Sequence, residues 1–85
     1  MENAEILSIF DHILRDLLLD DSIQLAMETR REDVSGWDSF NYINFIVAVE
    51  GRLKVRFKIA DIEGFSDVGG IVTAAQKLLS ASRAA

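Results

Sequence analysis

From Ile6 to Leu17 apolar residues recur at three- and four-residue spacing. Ile6, Ile9, Phe10, Ile13, Leu14 and Leu17 fall on one face, with Ser8, Asp11, His12 and Arg15 opposite. The pattern predicts an amphipathic helix over 4–19, ended by Asp20-Asp21-Ser22. Residues 22–38 hold no steady period, and Ile23, Leu25 and Val34 read as isolated anchors of a long loop. A structureless loop of that length is uncommon in a compact domain; it is usually functional or carries a short helical turn. Over 39–51 a second helix is predicted. Phe40, Tyr42, Ile43, Phe45, Ile46, Val47 and Val49 fill a wide apolar arc, leaving Asn41, Asn44, Ala48 and Gly51 as a narrow stripe. A helix this apolar is mostly buried or shows an apolar rim to a partner.

Leu53-Lys54-Val55-Arg56-Phe57-Lys58 then alternates with period two. No second strand pattern exists to pair with it, so an extended connector with Leu53, Val55 and Phe57 turned inward is expected. Ile59, Ile62 and Phe65 suggest one short helical turn closing near Gly64. Ser66 is the expected N-cap of a last helix, with Asp67 favourable in its first turn. Val68, Ile71, Val72, Ala75, Leu78 and Leu79 supply the apolar stripe of that helix, and Lys77 and Arg83 suit its C-terminal end. Gly69 and Gly70 weaken the first turn by about 1 kcal/mol each relative to Ala. Residues 81–85 are expected to fray. The fold class is therefore all-α: one domain over 1–85, with its core in 4–80, built as a four-helix bundle of three longer helices and one short one after a long first loop.

The composition narrows the function. A chain of 85 residues buries only about 60% of its unfolded surface, so the core must be simple and well filled. The absence of cysteine removes disulfides and thiolate metal sites, and a single histidine, His12, removes a His-rich one. The acids Asp20, Asp21, Glu28, Glu32 and Asp33 lack the alternating ligands, central Gly and terminal Glu of a calcium loop. No metal site is expected. The opening MENAEI does not read as a signal peptide. The longest apolar runs, Leu17–Leu19 and Phe45–Val49, are far short of the ~20 residues needed to span a bilayer. A cytoplasmic protein without membrane insertion is the expectation.

A net charge of −5 argues against nucleic acid as a partner. The charge is uneven. Residues 1–38 carry ten acids against Arg15, Arg30 and Arg31, whereas residues 39–58 carry only Glu50 against Arg52, Lys54, Arg56 and Lys58.

Two serines invite a catalytic reading. Ser8, His12 and Asp16 share the polar face of the first helix, but a triad needs an oriented network and an oxyanion site, which an exposed helix face does not offer. The other serine stands in GWDSF, residues 36–40, at the entrance to the second helix. Asp38 suits an N-cap with Ser39 at the first helical position. As a nucleophile Ser39 lacks a base nearby in sequence. As an attachment point it is well placed, because a phosphate ester at a helix N-terminus is stabilised by free backbone N–H groups and the helix dipole. Local physics permits attachment without compelling it. Trp37 is expected to pack the loop onto the helix ends.

The stretch WDSFNYINFIVAVEGRLKVRF, residues 37–57, resembles the acyl carrier protein family, the phosphopantetheine-binding carrier proteins. Asp38-Ser39-Phe40 stands at the family's Asp-Ser-Leu-like triplet, Val49-Glu50 at the helix end, and Leu53, Val55 and Phe57 at the anchor that follows. The order of elements and the length fit a free-standing carrier.

The resemblance implies a non-catalytic protein whose Ser39 carries a 4′-phosphopantetheine arm, added from coenzyme A by a phosphopantetheinyl transferase. The arm's thiol would hold acyl intermediates as thioesters, which reconciles a carrier role with a chain free of cysteine. It further implies that the second helix meets acyl- or aminoacyl-activating and acyl-transferring enzymes through Phe40, Asn41, Asn44 and Val47, with Ile62 as the lip across the arm, and that the protein works as a monomer.

One departure stands out. Asn41, Asn44 and Gly51 replace acids common on the recognition stripe of fatty-acid-synthesis carriers, and four bases follow. Exposed charges chiefly set encounter rate and partner choice, so a specialised lipid or secondary-metabolite pathway is expected. An aminoacyl or peptidyl carrier, an unmodified helical adaptor and a serine hydrolase are the competing readings.

Overall fold

A computed structural model describes residues 1–84. Its elements are α1 (Asn3–Leu18), a 3₁₀ turn (Arg31–Asp33), α2 (Ser39–Leu53), α3 (Ile59–Gly64) and α4 (Val68–Ala84). There is no strand among the described residues, and the fold is all-α. The tail expected to fray, 81–85, continues α4 as far as Ala84; Ala85 lies outside the described residues.

Helix α1 packs against both α2 and α4. Its apolar stripe delivers Ile6, Phe10 and Leu14 to the centre, where they meet Phe45, Ile46 and Val49 of α2 and Val68, Val72 and Ala75 of α4. Phe10 and Phe45 meet edge to face with centroids 5.2 Å apart, a favoured aromatic geometry. Truncating either ring to Ala would cost about 3–5 kcal/mol.

The polar face of α1 does more than meet solvent. Asp11 Oδ1 accepts the Leu25 backbone N–H at 2.8 Å, and Arg15 Nε donates to the Ile23 carbonyl at 2.7 Å. These bonds seat the long loop and bury Ile23 and Leu25, the anchors expected from sequence. The acids of the loop are also partly structural: Asp20 Oδ1 accepts the Ser22 N–H, and Asp33 Oδ2 accepts the Arg30 N–H. Among the described residues no acid cluster could hold a metal ion.

The loop reaches α4 as well. The Val68 N–H donates to the Thr29 carbonyl at 2.8 Å and the Gly69 N–H to the Met27 carbonyl at 2.6 Å. These amides belong to a helix start, where N–H groups have no partner within the helix. A Cβ on Gly69 would stand 2.8 Å from the Met27 oxygen, so close approach accounts for the glycine.

Two expectations are corrected. The cap of α4 is Asp67, whose Oδ1 accepts the Gly70 N–H at 2.9 Å, and not Ser66; the loop carbonyls of Thr29 and Met27 hold the Val68 and Gly69 N–H groups, so the helix starts one residue later. Helix α2 runs two residues past Gly51, so Leu53 packs as its last turn, not as connector, and Lys54 ends it in the left-handed conformation (φ 57°). Phe57 is buried as expected, its N–H held by Glu50 Oε2 at 2.8 Å. The short helical turn expected from Ile59, Ile62 and Phe65 is α3, with Ile59 74% exposed at its start. No helix among the described residues is long and apolar enough to cross a membrane.

Candidate functional site

The entrance to α2 is built by Gly36, Trp37 and Asp38 before Ser39 and by Asn41 after it. Gly36 adopts φ +86°, a left-handed turn that side-chain-bearing residues rarely take. That turn delivers Trp37 into the core and leaves Asp38 extended. Asp38 Oδ1 then accepts the Asn41 N–H at 2.9 Å, the N-cap bond expected from sequence. Asn41 returns the tie: its Nδ2 donates to the Gly36 carbonyl at 3.0 Å. Loop and helix are thereby locked, and Ser39, the first residue of α2, is held exposed. No titratable side chain hydrogen-bonds to it among the described residues. His12 is exposed on α1.

Ser39 stands on the rim of a groove of about 500 Å³, within the range of small-molecule sites. Trp37, Tyr42, Ile62, Phe65, Val68 and Ile71 supply its apolar lining, while Arg30, Arg31, Glu32, Glu63, Ser66 and Asp67 bring polar groups. The Tyr42 hydroxyl donates to the Ile62 carbonyl at 2.7 Å, and the Arg31 guanidinium lies 4.8 Å from the Tyr42 ring centroid, a cation–π distance. Burial raises the Tyr42 phenol above its usual pKa, with the Arg31 charge working in the opposite direction.

Trp37 is buried, 4% exposed, and packed edge to face on Phe45 at 5.1 Å. Packing is as expected, with one surprise. Its Nε1 is buried and has no hydrogen-bond partner among the described residues. A buried donor left unpaired costs about 1–3 kcal/mol.

No family model and no curated protein matches the chain. Among solved structures, the fold is similar to the solution NMR structure of a holo acyl carrier protein from Geobacter metallireducens. The TM-score is 0.84 at 31% identity, over 92% of this chain and 90% of that one. The chain belongs to the acyl carrier protein family.

Read as a carrier, the chain divides its sequence-predicted site residues into two groups. Ser39, Asp38 and Asn41 gather at the helix entrance, and Ile62 lines the groove with Ser39. Phe40 and Val47 lie on the outer face of α2, 75% and 60% exposed, with Asn44 half-buried along the same side. Two residues escaped the sequence reading. Ile43 is 51% exposed and also lines the groove. Its position three residues after Phe40 and four before Val47 puts all three on one helical row, so periodicity could have found it. Arg31 is the other, and nothing in the sequence signals that it reaches Tyr42 from the loop.

Proposed function

We propose that Ser39 carries a 4′-phosphopantetheine arm and that this carrier, a single domain over 1–85, tethers acyl intermediates and presents them to partner enzymes. The observation that carries the reading is the placement of Ser39: exposed at the N-terminus of a fifteen-residue helix and on the rim of the groove, in a chain that shares its fold with a holo carrier. The residues fit such a group. The hydroxyl is accessible, the first-turn N–H groups of α2 offer a positive field to a phosphate ester, and Trp37, whose buried indole N–H has no partner among the described residues, is among the residues lining the groove.

Each residue around the serine has a part. Asp38 fixes the start of the helix, so Ser39 is presented at one place and angle. During attachment the bond from Ser39 Oγ to the arm's phosphorus forms as that phosphorus is released from the adenosine bisphosphate half of coenzyme A, and the Oγ proton goes to a base on the transferase, because no titratable side chain hydrogen-bonds to Ser39 among the described residues. When bound, the arm supplies the thiol that holds the acyl group as a thioester. The exposed row of Phe40, Ile43 and Val47, with Asn41, Asn44 and Ile62, is the face offered to the phosphopantetheinyl transferase and to acyl- or aminoacyl-handling enzymes.

Arg52, Lys54, Arg56 and Lys58 follow that face, and Asn41 and Asn44 stand where fatty-acid carriers often have acids. Charge of this sign steers away from basic partners, which supports a specialised pathway with dedicated enzymes and a cytoplasmic monomer serving them. If the protein replaces a general fatty-acid carrier in reconstituted elongation at comparable rates, the specialised assignment fails.

Attachment is tested by intact mass after incubation with coenzyme A and a broad-specificity phosphopantetheinyl transferase. A gain equal to the arm, absent from Ser39→Ala, is the expected result. No gain on the folded protein leaves the unmodified adaptor, and ester turnover by the unmodified protein revives the hydrolase.

A further inference from the structure

We propose that the Trp37 indole N–H is a binding-site donor, which pairs with a carbonyl oxygen when the arm or its cargo folds into the groove beside Ser39. The inference rests on the reading of Ser39 as the attachment point.

Three observations meet at this residue. Trp37 lines the same groove as Ser39, two positions away in sequence. Its Nε1 is buried and unpartnered among the described residues. No neighbouring acceptor is bonded to it: the Tyr42 hydroxyl donates to the Ile62 carbonyl, and Val68 and Ile71 of the same lining have no polar side-chain atom.

The chemistry of the partner follows. An indole N–H donates and cannot accept. It is neutral and sits on an apolar surface, so a neutral oxygen suits it better than an anion, whose desolvation it could not offset. The charged groups that could meet an anion, Arg30 and Arg31, are exposed. A carbonyl oxygen is the acceptor that the arm, the thioester and an oxygen-bearing acyl chain have in common. If the acceptor lies in the cargo, Trp37 also sets specificity. A saturated chain leaves the N–H unpaired, whereas an oxo-substituted chain satisfies it, and sites with buried hydrogen-bonding groups discriminate strongly against ligands that leave them unpaired.

Trp37 is the only tryptophan, so a ¹⁵N-labelled sample gives one indole resonance. The experiment compares the apo protein, the protein bearing the arm alone, and forms loaded with hexanoyl and with 3-oxohexanoyl groups, each verified by mass. The expected result is a downfield indole proton with a nuclear Overhauser contact to the arm or cargo. Its exchange with solvent should slow by roughly two- to tenfold, the factor one net hydrogen bond is worth.

A change on adding the arm assigns the acceptor to an amide of the arm. A change first seen with hexanoyl assigns it to the thioester, and one confined to 3-oxohexanoyl assigns it to the cargo. An indole proton whose shift and exchange are the same in all forms overturns the proposal, as does one already at its downfield, hydrogen-bonded position in the apo protein. If no arm can be attached, the reading of Ser39 falls and takes this inference with it; if loading succeeds and the indole does not respond, only this inference falls. Trp37→Phe keeps an aromatic ring while removing the donor. If the acceptor lies in the cargo, it should reduce the difference in thioester lifetime between the two cargos to that of the free thioesters; should it fail to fold, the resonance of the unsubstituted protein still decides.

Discussion

The Tyr42 hydroxyl and the Ile62 carbonyl, 2.7 Å apart, join α2 to the short helix α3 along the groove beside Ser39. Helix α3 has six residues and no fully buried side chain, so its position depends on such ties more than that of a longer helix would. Tyr42→Phe keeps the ring and removes the bond. It should lower stability by about 0.5–1.5 kcal/mol and speed amide exchange in residues 59–64 more than in α1. Urea denaturation and native-state exchange measure the two effects, and equal acceleration throughout the chain would contradict the local role given to this bond.

The same tyrosine makes stability depend on alkaline pH. Its phenol titrates above its ordinary value because it is buried, so the folded state keeps the proton when the unfolded chain has begun to lose it. The stabilisation is whole below the unfolded value of about 10 and is lost as pH rises through the folded value. Urea midpoints of the parent should fall relative to those of Tyr42→Phe between about pH 9 and 11. The comparison cancels the lysines, which titrate in both proteins.

Two glycines in helices should respond oppositely to alanine. Gly51 has open space where a Cβ would go, and Gly51→Ala should stabilise by about 0.5–1 kcal/mol. Gly69→Ala would set a Cβ 2.8 Å from the Met27 oxygen and should destabilise by about 1–3 kcal/mol, the range for a substitution that disrupts packing. Thermal melts of both variants decide the sign.

Removing the cap of α2 should affect stability and loading together. Asp38→Ala loses the bond to the Asn41 N–H and should cost about 0.5–2 kcal/mol, whereas Asp38→Asn should retain most of it. Transfer of the arm to Ser39, followed by intact mass, should slow in Asp38→Ala and recover in Asp38→Asn.

On the outer face of α2 the two quantities should separate. Phe40 and Val47 are exposed, so alanine at either should change stability by no more than about 0.5 kcal/mol. Rates of arm transfer should nevertheless fall if this row meets the transferase. Unchanged rates in both variants would remove the row from that encounter.

Much of this architecture is legible along the chain because helical periodicity is a local property. The stripe of α1, the Asp38 cap and the burial of Ile23, Leu25 and Phe57 follow from residue type and spacing alone. What escaped depends on contacts between distant segments. Nothing near Asp11 or Arg15 says that a loop will lie across them, and nothing near Ser66 says that the loop will fix the start of α4 one residue later. At the site, the serine and its cap were readable; the unpaired Trp37 N–H is a property of enclosure, which no sequence pattern reports.

The bonds from Val68 and Gly69 to the carbonyls of Thr29 and Met27 make the loop a working part of a helix far along the chain. Two of the amides that begin α4 are satisfied by an irregular segment, so that segment and the helix start must open as one cooperative unit. Shortening or replacing residues 26–30 would therefore act as a lesion in α4, and the groove wall contributed by Val68 and Ile71 would loosen although no residue of it had been touched.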